Sequence, residues 1–224
     1  MNLKARLKKD RQTMAALEPK ARAIFVWDYY KIPILSVAAA LVLLVMGLIS
    51  WTGRKDVAMY AVLLNSDAGV VQTSPEMLDQ LLADAGFDMK GKTIDITADL
   101  TLGTEYNSDT DGQTIQVLAA LFGISGLDVF AADQAAFDRY ATQDAFVDLS
   151  LFLEKDLYET SFCSPYRYLD GNGREIVGGL ILTGGALHEA GYYHSEVVVG
   201  VAANAQNLEE AVAFVRQLLM AAAD

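Results

Sequence analysis

Gly86-Phe87-Asp88-Met89-Lys90-Gly91-Lys92-Thr93 satisfies G-x-x-x-x-G-K-[ST], the pattern with which a nucleotide-binding loop wraps phosphates in backbone N–H groups at the start of a helix. That chemistry needs a strand before the loop and a helix after it. Here the order is reversed, because Leu81 and Leu82 belong to an amphipathic run before the motif and Thr93 to Ala98 alternates isoleucine with polar residues as a strand does. The segment reads as a helix-to-strand turn. Asn107-Ser108-Asp109-Thr110-Asp111-Gly112 matches the first half of a calcium loop, but its twelfth position is Leu118 where a bidentate carboxylate is required. Asp170-Gly171-Asn172-Gly173 meets the same objection at Ile181 and reads as a turn. His188 and His194 stand six residues apart with Gly191 between them, whereas a zinc-protease helix needs two imidazoles four residues apart on one face. No nucleophile elbow, dinucleotide fingerprint or triad order is present. These residues make no positive case for an enzyme, and no catalytic residue, cofactor or metal is expected.

The elements that hold these residues begin with residues 32–53, which carry no charged side chain. As a helix, 22 residues span about 33 Å, against a hydrocarbon core of roughly 30 Å. Pro33 falls in the first turn, where its missing N–H costs little. The expectation is one transmembrane helix contacting the lipid bilayer. Lys4, Arg6, Lys8, Lys9, Arg11, Lys20, Arg22 and Lys31 precede it, and only Arg54 and Lys55 follow it closely, which puts the N-terminus in the cytoplasm and the rest outside. Trp27, Tyr29, Tyr30 and Trp51 fall where amphipathic rings favour the headgroup layer. A cleaved signal peptide would have a shorter apolar core and an A-x-A-like site. A lipoprotein would need a cysteine just after the run, and the one cysteine is Cys163.

Charge separates the compartments. Residues 1–31 form a basic cytoplasmic arm of net +5, whereas residues 56–224 hold seven basic and 26 acidic residues, net −19. The exported domain is thereby a poor partner for nucleic acid or for an anionic membrane surface. In the arm, Leu3, Leu7, Met14 and Leu17 recur at near-helical spacing among lysines and arginines. That pattern suits a helix lying on an anionic leaflet or, equally, a solvated tail. Pro19 would end such a helix.

Residues 56–224 carry a single cysteine and no repeat, so one domain held by apolar burial is expected. Strand patterns at Val57–Leu64, Thr93–Ala98 and Leu127–Ala131 alternate with helical patterns. The first helix is expected to be capped by Ser74, with Pro75 at its first position and Met77, Leu81 and Leu82 as its apolar stripe. The second is expected over Asp111–Leu121, with Ile115, Val117, Leu118 and Leu121 available for packing. The β-α-β-α-β order predicts crossover units and a largely parallel sheet covered by helices. A hairpin then follows, Tyr168–Leu169 and Glu175–Leu182 about the Asp170–Gly173 turn. A Val-rich strand, Glu196–Ala202, closes into a helix capped by Asn207 with Glu210 three positions on.

Gly126-Leu127-Asp128-Val129-Phe130-Ala131-Ala132-Asp133, followed by Phe137 and by Ala145-Phe146-Val147-Asp148-Leu149-Ser150-Leu151-Phe152-Leu153, resembles the G-x-x-D-V-F-x-x-D … L-x-D-L-x-x-x-L stretch of extracellular solute-binding proteins of ABC importers. The strand Val197 to Ala202 with the helix from Asn207 resembles the return of those chains into their first lobe. The resemblance covers residues 57–155 and 195–222. It implies an α/β class, with one three-layer domain like one lobe of a type 2 periplasmic-binding-protein fold and a mixed sheet. It also implies ligand contacts at the carboxyl ends of the first strands, at Asn65, Ser66, Asp67, Thr101 and Asp133, in keeping with the crevice rule for open α/β sheets.

Such receptors close two lobes around a solute, yet only residues 156–194 stand where the second lobe belongs, room for a hairpin and connections. Two readings follow. In the first, the domain is a membrane-anchored, extracytoplasmic, non-catalytic solute-binding-protein-like module, accessory to transport or sensing beside a transporter. In the second, it is a scaffold or protein-interaction subunit of a membrane complex that has lost small-ligand binding.

Overall fold

The computed structural model describes residues 36, 42, 55–67, 76–103, 108–124 and 126–220. The basic arm, its aromatic neighbours, the Ser74–Pro75 cap and Asn107 lie outside the described residues, as does the 32–53 segment except for Ser36 and Val42. Among the described residues no helix is long and apolar enough to cross a membrane. Lys55–Asp224 is a structural unit separate from Met1–Arg54.

The apolar run after Lys55 forms β1 (Asp56–Leu63), and its alternation serves two cores. Met59, Ala61 and Leu63 point into one, while Val62 and, just beyond the strand, Leu64 point into the other. Helices α1 (Glu76–Asp84) and α2 (Ser108–Gly123) connect it to β2 (Lys92–Thr97) and β3 (Val129–Ala132), and β1 pairs in parallel with both. A strand covered on both faces reads as a near-continuous hydrophobic run, as β1 does. The chain continues through α3 (Gln134–Ala141), a 3₁₀ turn at Leu149–Leu151, α4 (Lys155–Tyr158), β4 (Cys163–Leu169), β5 (Glu175–Leu182), α5 (Ala186–Glu189), β6 (Val197–Val201) and α6 (Leu208–Met220).

The six strands lie in the order β2-β1-β3-β6-β5-β4. Only the β2-β1-β3 half is parallel, since β6, β5 and β4 all join antiparallel. The β-α-β-α-β part is parallel as its order predicts, and the sheet as a whole is mixed, as the resemblance implied. A tight turn at residues 170–174 can only return the chain antiparallel. Residues 156–194 contain β4 and β5, which extend the same sheet rather than begin a second lobe.

Helices cover both faces. On one face Leu78 and Leu82 of α1 and Val215 and Leu218 of α6 pack with Val129, Leu180 and Val199 in an aliphatic core. The other face is aromatic: Phe137 of α3 stacks on Phe146 at 4.1 Å and 10°, with Phe130 and Leu118 buried beside them. Those rings lie flat because the sheet beneath is Gly179 and Gly200, where an added Cβ would come within 2.8 Å of the Phe137 ring. Val117, expected to be available for packing, is 37% exposed. The step of about 100° between successive residues of a helix turns it away from Leu118, which is fully buried.

Candidate functional site

At the carboxyl end of β1 the chain leaves toward the aliphatic face, and at the carboxyl end of β3 it leaves toward the aromatic face. This divergence is a topological switch point, where open α/β sheets leave a crevice. Four of the five residues expected at a ligand site converge there. Asn65 sits just after β1 with φ of 55°, a left-handed conformation that asparagine tolerates better than most residues. Its amide pairs with Leu102 as a backbone would, accepting from the Leu102 N–H at 2.6 Å and donating to the Leu102 carbonyl at 2.9 Å. The same Nδ2 donates to Asp133 Oδ2 at 2.5 Å. Asp133 uses its other oxygen to cap α3, accepting from the Ala136 N–H at 3.0 Å. Ser66 donates from Oγ to the Ala98 carbonyl at 2.6 Å, tying β1's exit to the end of β2. The Asp67 carboxylate meets His194 Nδ1 at 2.8 Å, and its N–H donates to the Tyr192 carbonyl at 2.8 Å. Thr101 is exposed, in the loop that follows β2.

What fills the crevice is a residue the sequence reading did not single out. Tyr193, 4% exposed, enters from the connection between α5 and β6. Its hydroxyl donates to the carbonyls of Leu64 and Ala131, at 2.9 and 3.1 Å, at the carboxyl ends of β1 and β3. Burial pushes this hydroxyl's pKa well above the ordinary tyrosine value, and the nearby charges of Asp133 and Asp67 push it further. The only sequence signal was the pair Tyr192-Tyr193, two bulky rings in a stretch otherwise read as a loop. Both are buried.

The first aspartate of the solute-binding-like motif serves the opposite end of β3. Asp128, 2% exposed, accepts from the Tyr60 N–H at 2.9 Å and from the backbone and side-chain N–H groups of Asn207 at 2.9 and 3.0 Å. It locks β1, β3 and the start of α6 together. Asn207, expected to cap α6, spends its amide donor on this carboxylate.

The remaining motifs resolve as local structure. The nucleotide-loop pattern is the turn between α1 and β2, with Gly86 and Gly91 at φ of 93° and 74° and Lys92 exposed at the first position of β2. His188 lies in α5 and bonds through Nε2 to the Ser195 carbonyl at 2.8 Å. Among the described residues no group of three or more His, Cys, Asp or Glu is placed to hold a metal ion. Burial pushes the Cys163 thiol up to about 12, which keeps it protonated at neutral pH.

A second concavity lies on the aromatic face between α2 and α3. It measures about 560 Å³ and is lined by Leu102, Ile115, Phe122, Arg139, Tyr140 and Asn204, among others. No protein-family model, no curated protein and no solved structure matches this chain.

Proposed function

We propose that residues 56–224 are the exported part of a single-pass, membrane-anchored, non-catalytic module built like one lobe of a type 2 periplasmic-binding-protein fold, and that it acts as a scaffold or protein-interaction subunit beside a membrane partner. The observation that carries this reading is the filling of the switch-point crevice by Tyr193. A solute arriving there would have to displace a buried ring and two hydrogen bonds. It would also have to break the Asn65–Asp133 contact, and desolvated polar groups left unpaired cost about 1–3 kcal/mol each. The single lobe adds to this, because a small ligand in a typical pocket is largely enclosed and one wall encloses little of it. The placement of Asn65, Asp67 and Asp133 at the switch point is what the receptor reading has in its favour.

The two readings separate by melting the purified full chain in detergent against sugars, amino acids, peptides and divalent cations. A ligand at a hundredfold excess over Kd stabilises by about 2.7 kcal/mol, and the interaction reading expects no such rise from this panel. A rise abolished by Asp67→Ala or Asp133→Ala would restore the receptor. The membrane topology rests on the asymmetry of basic residues around 32–53. Protease added to intact protoplasts is expected to remove the acidic domain, and its protection would reverse the orientation.

A further inference from the structure

Resting on the interaction reading, we propose that the groove between the Leu149–Leu151 turn and the 170–174 hairpin turn is the docking surface. Its occupant is a segment of a partner protein in which an apolar residue stands beside a lysine or arginine. The groove measures about 360 Å³ and is lined by buried Phe146 and Ile176 and by exposed Leu151 and Phe152. Its lining falls between residues 144 and 176, inside the unbroken described stretch 126–220.

The apolar rim is not spent on the core. Leu149-Ser150-Leu151-Phe152-Leu153 places four large apolar residues in five positions. Leu149 and Leu153 are buried in the aliphatic core, whereas Leu151 is 71% and Phe152 38% exposed. The backbone that carries the exposed pair is tied on both sides. Val147 donates its N–H to the Val201 carbonyl at 3.0 Å, and Arg216 of α6 donates to the Phe152 carbonyl at 2.9 Å. Asp148 holds the turn between them, accepting from the Ser150 N–H at 3.2 Å and from its hydroxyl at 2.6 Å. Apolar side chains presented to water on a fixed backbone and rimmed by polar groups have the make-up of an interface centre, and preorganisation lowers the ordering cost of binding.

The charge selects the partner. Asp144, Asp148 and Asp170 line the groove with one cation, Arg174, so three carboxylates and one guanidinium leave net −2. Backbone N–H groups, which carry no net charge, meet most of the carboxylate oxygens. Asp144 accepts from the Gly171 N–H with both oxygens, at 2.9 and 3.0 Å, and Asp170 Oδ1 accepts from the Asn172 and Arg174 N–H groups at 3.0 and 2.8 Å. Arg174 faces Asp170 Oδ2 at 3.4 Å and offsets that one charge. The bonds of Asp148 fall on Oδ1, the third coming from the Val177 N–H at 3.1 Å, which leaves Oδ2 to meet a donor from outside. Even with Arg216 at the Phe152 carbonyl, the balance stays negative. The domain's net −19 adds a long-range field that draws in a basic partner and disfavours a second copy of this chain.

The test pans a phage-displayed library of random peptides on the purified full chain in detergent and measures synthetic copies of the enriched peptides by fluorescence anisotropy. Enriched sequences are expected to combine apolar residues with lysine or arginine and to bind more weakly as salt is raised. Leu151→Ser should weaken them about tenfold or more while the peptide-free melting temperature stays put, because Leu151 is exposed. Asp148→Asn, which keeps Oδ1 as the turn's acceptor, should weaken them several-fold, and Arg174→Gln should tighten them. If Asp148→Asn disturbs the turn, the salt dependence still reads the charge.

No enrichment of basic, apolar peptides overturns the assignment, as does binding that rises with salt or is weakened by Arg174→Gln. Enriched peptides whose affinity Leu151→Ser leaves unchanged also overturn it, yet leave the interaction reading standing with its contact elsewhere. A dimer that Leu151→Ser converts to a monomer, without peptide binding, gives this face to a second copy and overturns the basic partner. Failure of the interaction reading itself has a different signature, a small-solute rise in melting temperature abolished by Asp67→Ala.

Discussion

The switch-point crevice and the α2–α3 groove are opposite outcomes of one fold. At the crevice the chain presents ligand-like residues, Asn65, Ser66, Asp67 and Asp133, and then answers them itself with Leu102, Ala98, His194 and Ala136. Tyr193 then closes the space. In the groove small side chains leave a space, with Phe122 and Tyr140 in its lining beside polar Arg139, Gln143, Asp144 and Asn204. The contrast shows why polar residue types at the right strand ends do not by themselves make a binding site. A buried polar group already hydrogen-bonded offers a ligand no net gain, because any new bond must first replace an old one. An uncovered aromatic wall does offer a gain, since covering it removes apolar surface from water.

The largest expected effect tests the closed side. Tyr193→Ala removes a fully packed ring and leaves the Leu64 carbonyl without its partner, so unfolding in urea should show a loss of about 3–5 kcal/mol. A loss below about 1 kcal/mol would mean that the crevice is not closed as described. Asn65→Gly keeps the left-handed backbone but removes the pairing with Leu102 and Asp133. It should cost about 1–3 kcal/mol, and a neutral result would mean that the polar cluster is not self-satisfied.

A smaller effect comes from the hydroxyl alone. Tyr193→Phe should cost about 1 kcal/mol at neutral pH. In the folded chain this hydroxyl's pKa is raised well above its usual 10.0, so the native state keeps a proton that the unfolded chain releases. Its contribution is whole below about pH 10 and is lost as pH rises beyond that. Tyr193→Phe should flatten part of that alkaline fall, and only part, because burial also raises Tyr140, Tyr166, Tyr168 and Tyr192. An unchanged alkaline slope would show that the hydroxyl is hydrated rather than buried. The smallest effect belongs to the nucleotide-loop lookalike. Lys92→Ala, on an exposed side chain, should move stability by no more than about 0.5 kcal/mol, and ATP binding lost in that variant would overturn the turn assignment.

Much of the framework was legible in the sequence because the responsible forces are local. β1, β2, β3, β5 and β6 fall within two residues of the expected runs, and α6 starts where Asn207 placed it. Period-two and period-3.6 patterns report burial directly. The first strand of the hairpin was read short, since β4 is an edge whose Ser164, Pro165 and Arg167 break the apolar alternation. The short α4 and α5 were missed, because a single turn carries too few residues to show a period. Aspartates in the family-like motif were visible, but not their duties: Asp128 locks three elements through partners as far as 79 positions away.

The sequence by itself determined the charge division, the apolar 32–53 run and the order of the strands and of the longer helices on either side of β2 and after β6. These follow from composition, periodicity and spacing, which need no contact between distant residues. Only the tertiary structure decided that β6 joins β3 antiparallel and that Tyr193 fills the crevice between β1 and β3. It also decided that the open space lies between α2 and α3. Each of these joins residues far apart in the chain, 129 positions in the case of Tyr193 and Leu64. Which side chain occupies a gap depends on how the packed elements meet, and no local pattern encodes it.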